Sequence, residues 1–178
     1  MKWQARDEQM KIEYRPADET SARAFLIWHY EPPYDIYNCP LELVEEYVRY
    51  NIDPENNVYT MFDQHGELVG YCSYGADARV AGGDYSEEAL DIGLMVKPEL
   101  TGQGLGSEFA SLVIENGTSL YRPGKLRVTI AAFNRRAIRV WEKNGFKLSQ
   151  TFKRTRDGME FVILTRFSEP KSTGDKQG

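Results

Sequence analysis

Three glycines at alternate positions lie between a strand pattern and a helix pattern, and this stretch constrains the fold more than any other. From Leu90 to Val96 apolar residues alternate with others, which is typical of a half-buried strand. Pro98 cannot donate to a sheet hydrogen bond, so it ends the strand. Free amide groups at a helix N-terminus favour a phosphate, so the stretch predicts a phosphate-binding turn. Its glycines are Gly102, Gly104 and Gly106.

Two nucleotide-binding motifs compete for this turn, and both fit poorly. A P-loop requires a lysine after its last glycine, and none follows Gly106 directly. A dinucleotide fingerprint requires its third glycine one residue later, and an acidic residue about 20 positions on. A strand-to-helix connection without a ligand is the remaining alternative.

The pattern V-x-P-x-x-x-G-x-G-x-G, Val96 to Gly106, resembles the acyl-CoA pyrophosphate motif of the GNAT superfamily of CoA-dependent N-acyltransferases. A second stretch, Asn134 to Phe146, resembles the N-x-x-A-x-x-x-Y-x-x-x-G-F segment that follows it in that superfamily. Both motifs have the family's order and spacing, and the resemblance covers roughly residues 10–168. It implies an α/β (α+β) fold, with a mixed central sheet of six to seven strands flanked by about four helices.

The chain's 178 residues suffice for one domain with a sizeable core. We expect a flexible lead at 1–9, a single N-acetyltransferase domain at 10–168 and a disordered tail at 169–178. The sequence has no apolar run long enough for a membrane helix, and its N-terminus does not have the pattern of a signal peptide, so we expect neither membrane association nor export. The two cysteines, Cys39 and Cys72, suggest reduced thiols in a cytoplasmic protein. The two histidines are not at metal-ligand spacing, so we expect no metal site.

Charge divides unevenly between the two parts of the chain. Residues 1–100 hold 8 lysines and arginines against 20 acidic residues, whereas residues 101–178 hold 14 against 7. The basic part carries both resembling motifs, so the acidic part is expected to face a cationic amine acceptor. Scattered surface charge that only confers solubility is the alternative. Nucleic acid is not an expected partner, because no basic stripe is interleaved with aromatic residues.

The resemblance implies acetyl-CoA as the cosubstrate. In the family, the backbone of the strand before the turn pairs with the pantetheine arm, and the turn holds the pyrophosphate. An asparagine after the next strand bonds the arm, and here we expect it to cap a helix as well; capping alone is the alternative. The cofactor-binding residues implied in this way are Leu94, Met95, Val96, Thr101, Gly102, Gln103, Gly104, Leu105, Gly106, Asn134, Ala137 and Trp141.

The acid and base are less well defined. Asp91 best matches the family's acidic base, or it is an exposed strand carboxylate. Trp141 stands where the family usually has the tyrosine that protonates the thiolate, and an indole cannot serve. Tyr30 or a tyrosine of the aromatic loop at 31–40 could replace it, with Tyr34 and Tyr37 the leading candidates and water the alternative. These tyrosines either line the acceptor site or merely cover the core.

The resemblance therefore predicts an N-acetyltransferase that moves an acetyl group from acetyl-CoA to a primary amine of a small molecule or a peptide. Transfer would occur by direct attack in a ternary complex. A CoA-binding sensor or interaction module with little catalysis is the alternative. The identity of the amine, the acyl-chain specificity and a homodimer all stay open.

Overall fold

A single seven-stranded mixed sheet forms the centre of the fold in the computed structural model, which describes residues 10–168. Its order is β1-β2-β3-β4-β5-β7-β6, and only the β4–β5 pair is parallel. The predicted fold class is confirmed, while the expectations for 1–9 and 169–178 lie outside the described residues. The strands are β1 Glu13–Pro16, β2 Val58–Phe62, β3 Leu68–Tyr74, β4 Leu90–Val96, β5 Lys125–Ala131, β6 Lys147–Lys153 and β7 Glu160–Phe167.

Four α-helices flank the sheet. Local sequence fixes where two of them begin: Asp18 caps α1 in a capping box with Ser21, and Asn134 caps α4. No helix within residues 10–168 is long and apolar enough to cross a membrane. The helices are α1 Glu19–Leu26, α2 Val44–Asn51, α3 Gly106–Tyr121 and α4 Arg135–Lys143.

Helix α3 begins at Gly106 and continues through Asn116 and Gly117, a pair that is typical of helix ends. A Cβ on Gly117 would lie 2.5 Å from a ring carbon of Tyr74. The Tyr74 hydroxyl donates to the carbonyl of Val113 at 2.8 Å and accepts from the Asn116 amide at 3.0 Å. The Asn-Gly pair is therefore a docking point between α3 and β3 rather than a helix end.

Alternate residues of β3 point to opposite faces of the sheet and build two separate cores. Cys72 and Tyr74 pack with Phe109 of α3 in the larger core. Tyr71 packs instead with the cluster that contains Phe25 of α1 and Val48 of α2. Helices α3 and α4 therefore cover one face, and α1 and α2 cover the other.

The two parallel strands separate soon after they meet. Their ladder contains only the register pairs Leu90–Leu126 and Asp91–Arg127. Beyond Asp91, strand β4 stays paired with β3 through Val96, while β5 pairs with β7 as far as Ala131. The centre of the sheet thus opens into a fork, which leaves backbone groups free for a ligand.

Candidate active site

The fork presents the backbone of β4 to a cavity of about 390 Å³. The carbonyl of Asp91 and the amide of Lys97 both bond on the β3 side, at 2.9 Å each. By the alternation of an antiparallel ladder, the backbone groups of Leu94 and Val96 point into the fork. The Val96 carbonyl accepts a hydrogen bond from the Tyr30 hydroxyl at 2.8 Å. Both the amide and the carbonyl of Leu94 therefore point to where an extended ligand would lie.

A buried ion pair closes the root of the fork. Asp91 Oδ1 lies 2.5 Å from Arg127 Nε, and Asp91 Oδ2 lies 2.8 Å from both Arg127 Nη2 and Arg79 Nε. The Asp91 and Arg127 side chains are only 1% and 3% exposed. Arg127 also donates to the carbonyl of Glu87 at 2.9 Å, and its bond to Asp91 raises the pKa of its guanidinium.

This environment does not suit Asp91 as a base. Both of its carboxylate oxygens accept from arginines, and the residue lines neither of the two large cavities. It is not an exposed strand carboxylate either. Its partner Arg127 lies 36 positions further along the chain, so alternation within β4 could not reveal the pair. Asp91 holds β4 to β5 where the strands begin to separate.

The glycine turn lines a neighbouring cavity of about 350 Å³. Gly102 and Gly104 have φ of +72° and +82°, the left-handed region that favours glycine. A Cβ on Gly104 would meet no atom within 4 Å, so the main chain there faces open space. A Cβ on Gly106 would instead lie 2.8 Å from Val140 Cγ2, which makes that glycine a close contact between α3 and α4.

Three basic side chains of α4 line the same cavity: Arg136, Arg139 and Lys143. An added Cβ on Gly102 would lie 3.5 Å from Arg136 Nη1, so that guanidinium is close to the turn. Sequence reasoning did not single these residues out, although they recur at helical spacing inside the second motif. Their charge, the open glycine backbone and the N-terminus of α3 together fit a phosphate-bearing ligand.

Some residues implied by the resemblance serve the turn or the core. Thr101 Oγ1 donates to the carbonyl of Pro98 at 2.7 Å, and Gln103 Nε2 donates to that of Glu99 at 2.5 Å. Leu105 packs against the main core, and neither Gln103 nor Leu105 lines the two cavities. Met95 lines only the fork cavity. The cavity beside the glycine turn is lined by the other implied residues: Leu94, Val96, Thr101, Gly102, Gly104, Gly106, Asn134, Ala137 and Trp141.

Asn134 connects the two sides of the site. Its Oδ1 accepts from the amide of Ala137 at 3.1 Å, which caps α4. Its Nδ2 donates to the hydroxyl of Tyr37 at 3.1 Å. Asn134 therefore caps α4, and its side-chain amide also fixes a tyrosine of the aromatic loop.

Trp141 is 5% exposed, yet it lines both cavities. Its ring meets Phe146 edge to face, with ring centroids 5.1 Å apart. The indole therefore forms part of an apolar wall at the junction of the cavities. Seven residues line both of them: Leu94, Val96, Thr101, Asn134, Arg136, Ala137 and Trp141.

The aromatic loop lines the fork cavity. Tyr34 and Tyr37 bound a short 3-10 helix, and the Tyr34 ring lies 4.1 Å from the guanidinium carbon of Arg136. Burial raises the pKa of Tyr37, so its phenol stays protonated at neutral pH. Two charged residues from distant parts of the chain, Asp77 and Arg154, also line this cavity and were not identified from the sequence.

Comparisons with known proteins agree with this architecture. The family model for the GNAT acetyltransferase domain matches residues 2–147. A GNAT-family acetyltransferase from Bacillus anthracis is similar with a TM-score of 0.69 and 16% identity, over 90% of this chain and 96% of that one.

A chimera of the spermidine N-acetyltransferase SpeG from Vibrio cholerae and hSSAT gives a TM-score of 0.67 at 16% identity, over 90% and 96% of the two chains. Mutant forms of the Vibrio cholerae spermidine/spermine N-acetyltransferase SpeG give 0.63 at 14%, over 88% and 95%. A comparison with curated protein sequences finds no match.

Proposed function

We propose, because this chain belongs to the GNAT acetyltransferase family, that it transfers the acetyl group of acetyl-CoA to the nitrogen of a primary amine on a small molecule or a peptide. One observation carries the proposal: the basic, glycine-lined cavity joins the tyrosine-lined cavity at the fork. Two reactants could therefore meet beside the free backbone of β4. Spermidine N-acetyltransferases among the similar structures are consistent with an amine acceptor.

Binding of acetyl-CoA would use main chain and positive charge. The pyrophosphate would lie over Gly102 and Gly104 and the start of α3, with Arg136 and Arg139 nearby. The pantetheine arm would extend along β4 towards the fork. There the Leu94 amide would donate to the thioester oxygen, which gains negative charge during attack. One such donor is worth roughly 2.7–4 kcal/mol.

The reaction forms a carbon–nitrogen bond and breaks the carbon–sulfur bond of the thioester. The amine nitrogen gives up protons, and the departing thiolate of CoA takes one up. An alkyl ammonium has a pKa near 10.4, so only about one molecule in 2,500 is nucleophilic at pH 7, a cost of about 4.6 kcal/mol. A carboxylate or water in the acceptor cavity would receive the amine's proton.

Tyr37 is the phenol best placed to protonate the thiolate. The Asn134 amide donates to its oxygen, so the hydroxyl proton stays available. The Tyr30 proton, by contrast, is given to the Val96 carbonyl. Tyr34 carries a weaker case, because its ring packs between Arg136 and Phe133. Since the thiolate pKa is near 8.5 by analogy with cysteine, the acid assists without being essential, and water is the other source.

The cysteines favour direct attack over an acetyl-enzyme. Cys72 is fully buried, and burial raises its thiol pKa to about 12. Cys39 also has a raised pKa through burial, and neither residue lines the two cavities. A reactive cysteine requires an accessible thiolate, which these positions do not supply.

A CoA-binding module with little catalysis is the second candidate. Trp141 in the tyrosine position and the occupied carboxylate of Asp91 favour it, because both remove groups that the family uses. Release of free thiol from acetyl-CoA across a panel of primary amines separates the two. Amine-dependent release well above hydrolysis supports the transferase, whereas tight acetyl-CoA binding without release for any amine supports the module.

A further inference from the structure

Among residues 10–168, the part of the fork cavity away from the glycine turn is lined by a single carboxylate. Asp77 lies on the short 3-10 helix Ala76–Ala78 and is half-buried. Within residues 10–168 its side chain makes no ion pair, and its hydrogen-bonding neighbour is the phenol of Tyr50. Its charge reaches the neighbouring phenols: burial first, and then Asp77, raises the pKa of Tyr50 to about 12. The same two causes contribute to the raised pKa of Tyr71.

Two guanidinium groups line the same cavity. Arg154 donates from Nε and Nη2 to Asp157 at 3.0 and 2.6 Å, and it lies over the ring of Phe161 at 5.0 Å. Its side chain is 14% exposed, so it is fixed in place. Arg136 is the other. A ligand with a second positive charge would find no second carboxylate among the residues within 10–168 that line this cavity.

Rigid aromatic rings form a large part of the remaining walls. Tyr71 stacks on Phe25 with ring centroids 4.0 Å apart, and Tyr30 is tied to β4 through its hydroxyl. Tyr34 and Tyr37 are fixed by the contacts described above. Such rings offer flat apolar surface to a ligand body, and their electron-rich faces also attract one ammonium group.

We propose that this cavity selects a primary amine that carries one positive charge on a flat, apolar body, with its ammonium group directed towards Asp77. An arylalkyl monoamine has this chemistry, whereas an aliphatic polyamine lacks the flat body and carries a second charge for which the cavity lining within residues 10–168 offers no carboxylate. The inference rests on the proposed acetyl transfer, since it names the acceptor class for that reaction.

Three acceptors of similar size separate charge from shape. 2-Phenylethylamine is flat with one charge, hexylamine has one charge without a ring, and 1,4-diaminobutane has two charges. Thiol release at saturating acetyl-CoA should give the highest kcat/KM for 2-phenylethylamine and the lowest for 1,4-diaminobutane, with about a tenfold or larger difference between them. An equal or higher value for 1,4-diaminobutane overturns the proposal.

A matched pair of variants tests the carboxylate. Asp77→Asn should lower kcat/KM for 2-phenylethylamine about tenfold, mainly through KM, while the KM for acetyl-CoA stays unchanged. Asp35→Asn removes an equal charge from the exposed side of the aromatic loop and should change neither constant. Equal effects of the two substitutions contradict the assigned role of Asp77.

Equilibrium binding tests the proposed acceptor class independently of catalysis. If no amine releases thiol, the proposed transfer fails, and binding of 2-phenylethylamine to the CoA-saturated protein becomes the test. Binding that Asp77→Asn weakens and Asp35→Asn leaves intact supports the cavity assignment. A protein that binds CoA but not 2-phenylethylamine overturns it.

Discussion

The two cavities that meet at the fork are built in different ways. The cavity beside the glycine turn, the proposed cofactor side, consists mainly of main chain and one helix face. Gly102 and Gly104 expose backbone there, and Arg136 and Arg139 add charge. The acceptor side consists largely of side chains brought together from distant parts of the chain, including those around Tyr30, Asp77, Thr129 and Arg154.

Because of this difference, the two sides can recognise different features of their ligands. A backbone cradle recognises a pyrophosphate whatever side chains surround it, so it suits a cosubstrate shared by a whole family. Side chains that converge from distant segments can be exchanged one by one without disturbing the fold. The acceptor side is therefore where specificity can differ between relatives, and perturbations of the two sides should have separable effects.

The largest expected effect is on the cofactor side. Gly104→Val should remove the rise in melting temperature caused by saturating acetyl-CoA, because a side chain would enter open space at the turn. Strain alone is controlled by Gly158→Val, since Gly158 has a similar φ of +73° and open surroundings in a distant turn. That control should lower the melting temperature but keep the acetyl-CoA shift. No shift in the parent protein would refute the cofactor assignment.

A stability effect should follow at the root of the fork. Asp91→Ala leaves Arg127 buried without its carboxylate and should lower the free energy of unfolding by about 3–5 kcal/mol in denaturant titrations. Glu87→Ala is the control, because Glu87 pairs with Lys125 near the same strands but is 64% exposed and should hardly matter. Residual activity of Asp91→Ala should keep the parental pH profile. A profile that loses its acidic limb would restore Asp91 as a base.

A moderate effect is expected on the acceptor side. Tyr37→Phe should lower kcat about tenfold or less and leave the KM for acetyl-CoA nearly unchanged, because the phenol assists departure of a fairly good leaving group. Tyr34→Phe keeps the ring beside Arg136 and should retain nearly full activity. If both variants are fully active, a tyrosine of this loop is not the acid and water protonates the thiolate.

The smallest effect should come from the junction. Trp141→Phe should weaken acetyl-CoA binding about two- to fivefold through lost apolar contact, without altering the pH profile. Trp141→Tyr introduces a phenol there and should raise turnover only if thiolate departure limits the rate. Complete loss of activity in Trp141→Phe, with acetyl-CoA binding intact, would show that the indole does more than pack.

The sequence was sufficient for the glycine turn and the start of α4, because the information for both is local. Glycines at fixed spacing between a strand and a helix specify the turn, and Asn134 specifies the start of α4. The fold followed from the same motifs. The basic residues of α4 stand at helical spacing in the second motif, so their position on one face of the helix could have been predicted.

Long-range pairing explains what the sequence could not supply. The alternation within β4 made Asp91 a strand carboxylate, but its burial depends on Arg127 in the neighbouring strand. The convergence of Asp77 and Arg154 depends on how the 3-10 helix after β3 and the end of β6 approach the fork. Similarly, Asn116 and Gly117 suggest a break until Tyr74 is placed beside them.

Initial-rate kinetics test most directly whether both reactants occupy the joined cavities at once. Rates of thiol release are measured while acetyl-CoA and 2-phenylethylamine, or the best amine of the panel, are varied together. Direct attack in a ternary complex predicts double-reciprocal lines that intersect. Parallel lines, together with an acetylated protein isolated in the absence of amine, would contradict the account, because they would require a covalent intermediate that the fork does not need.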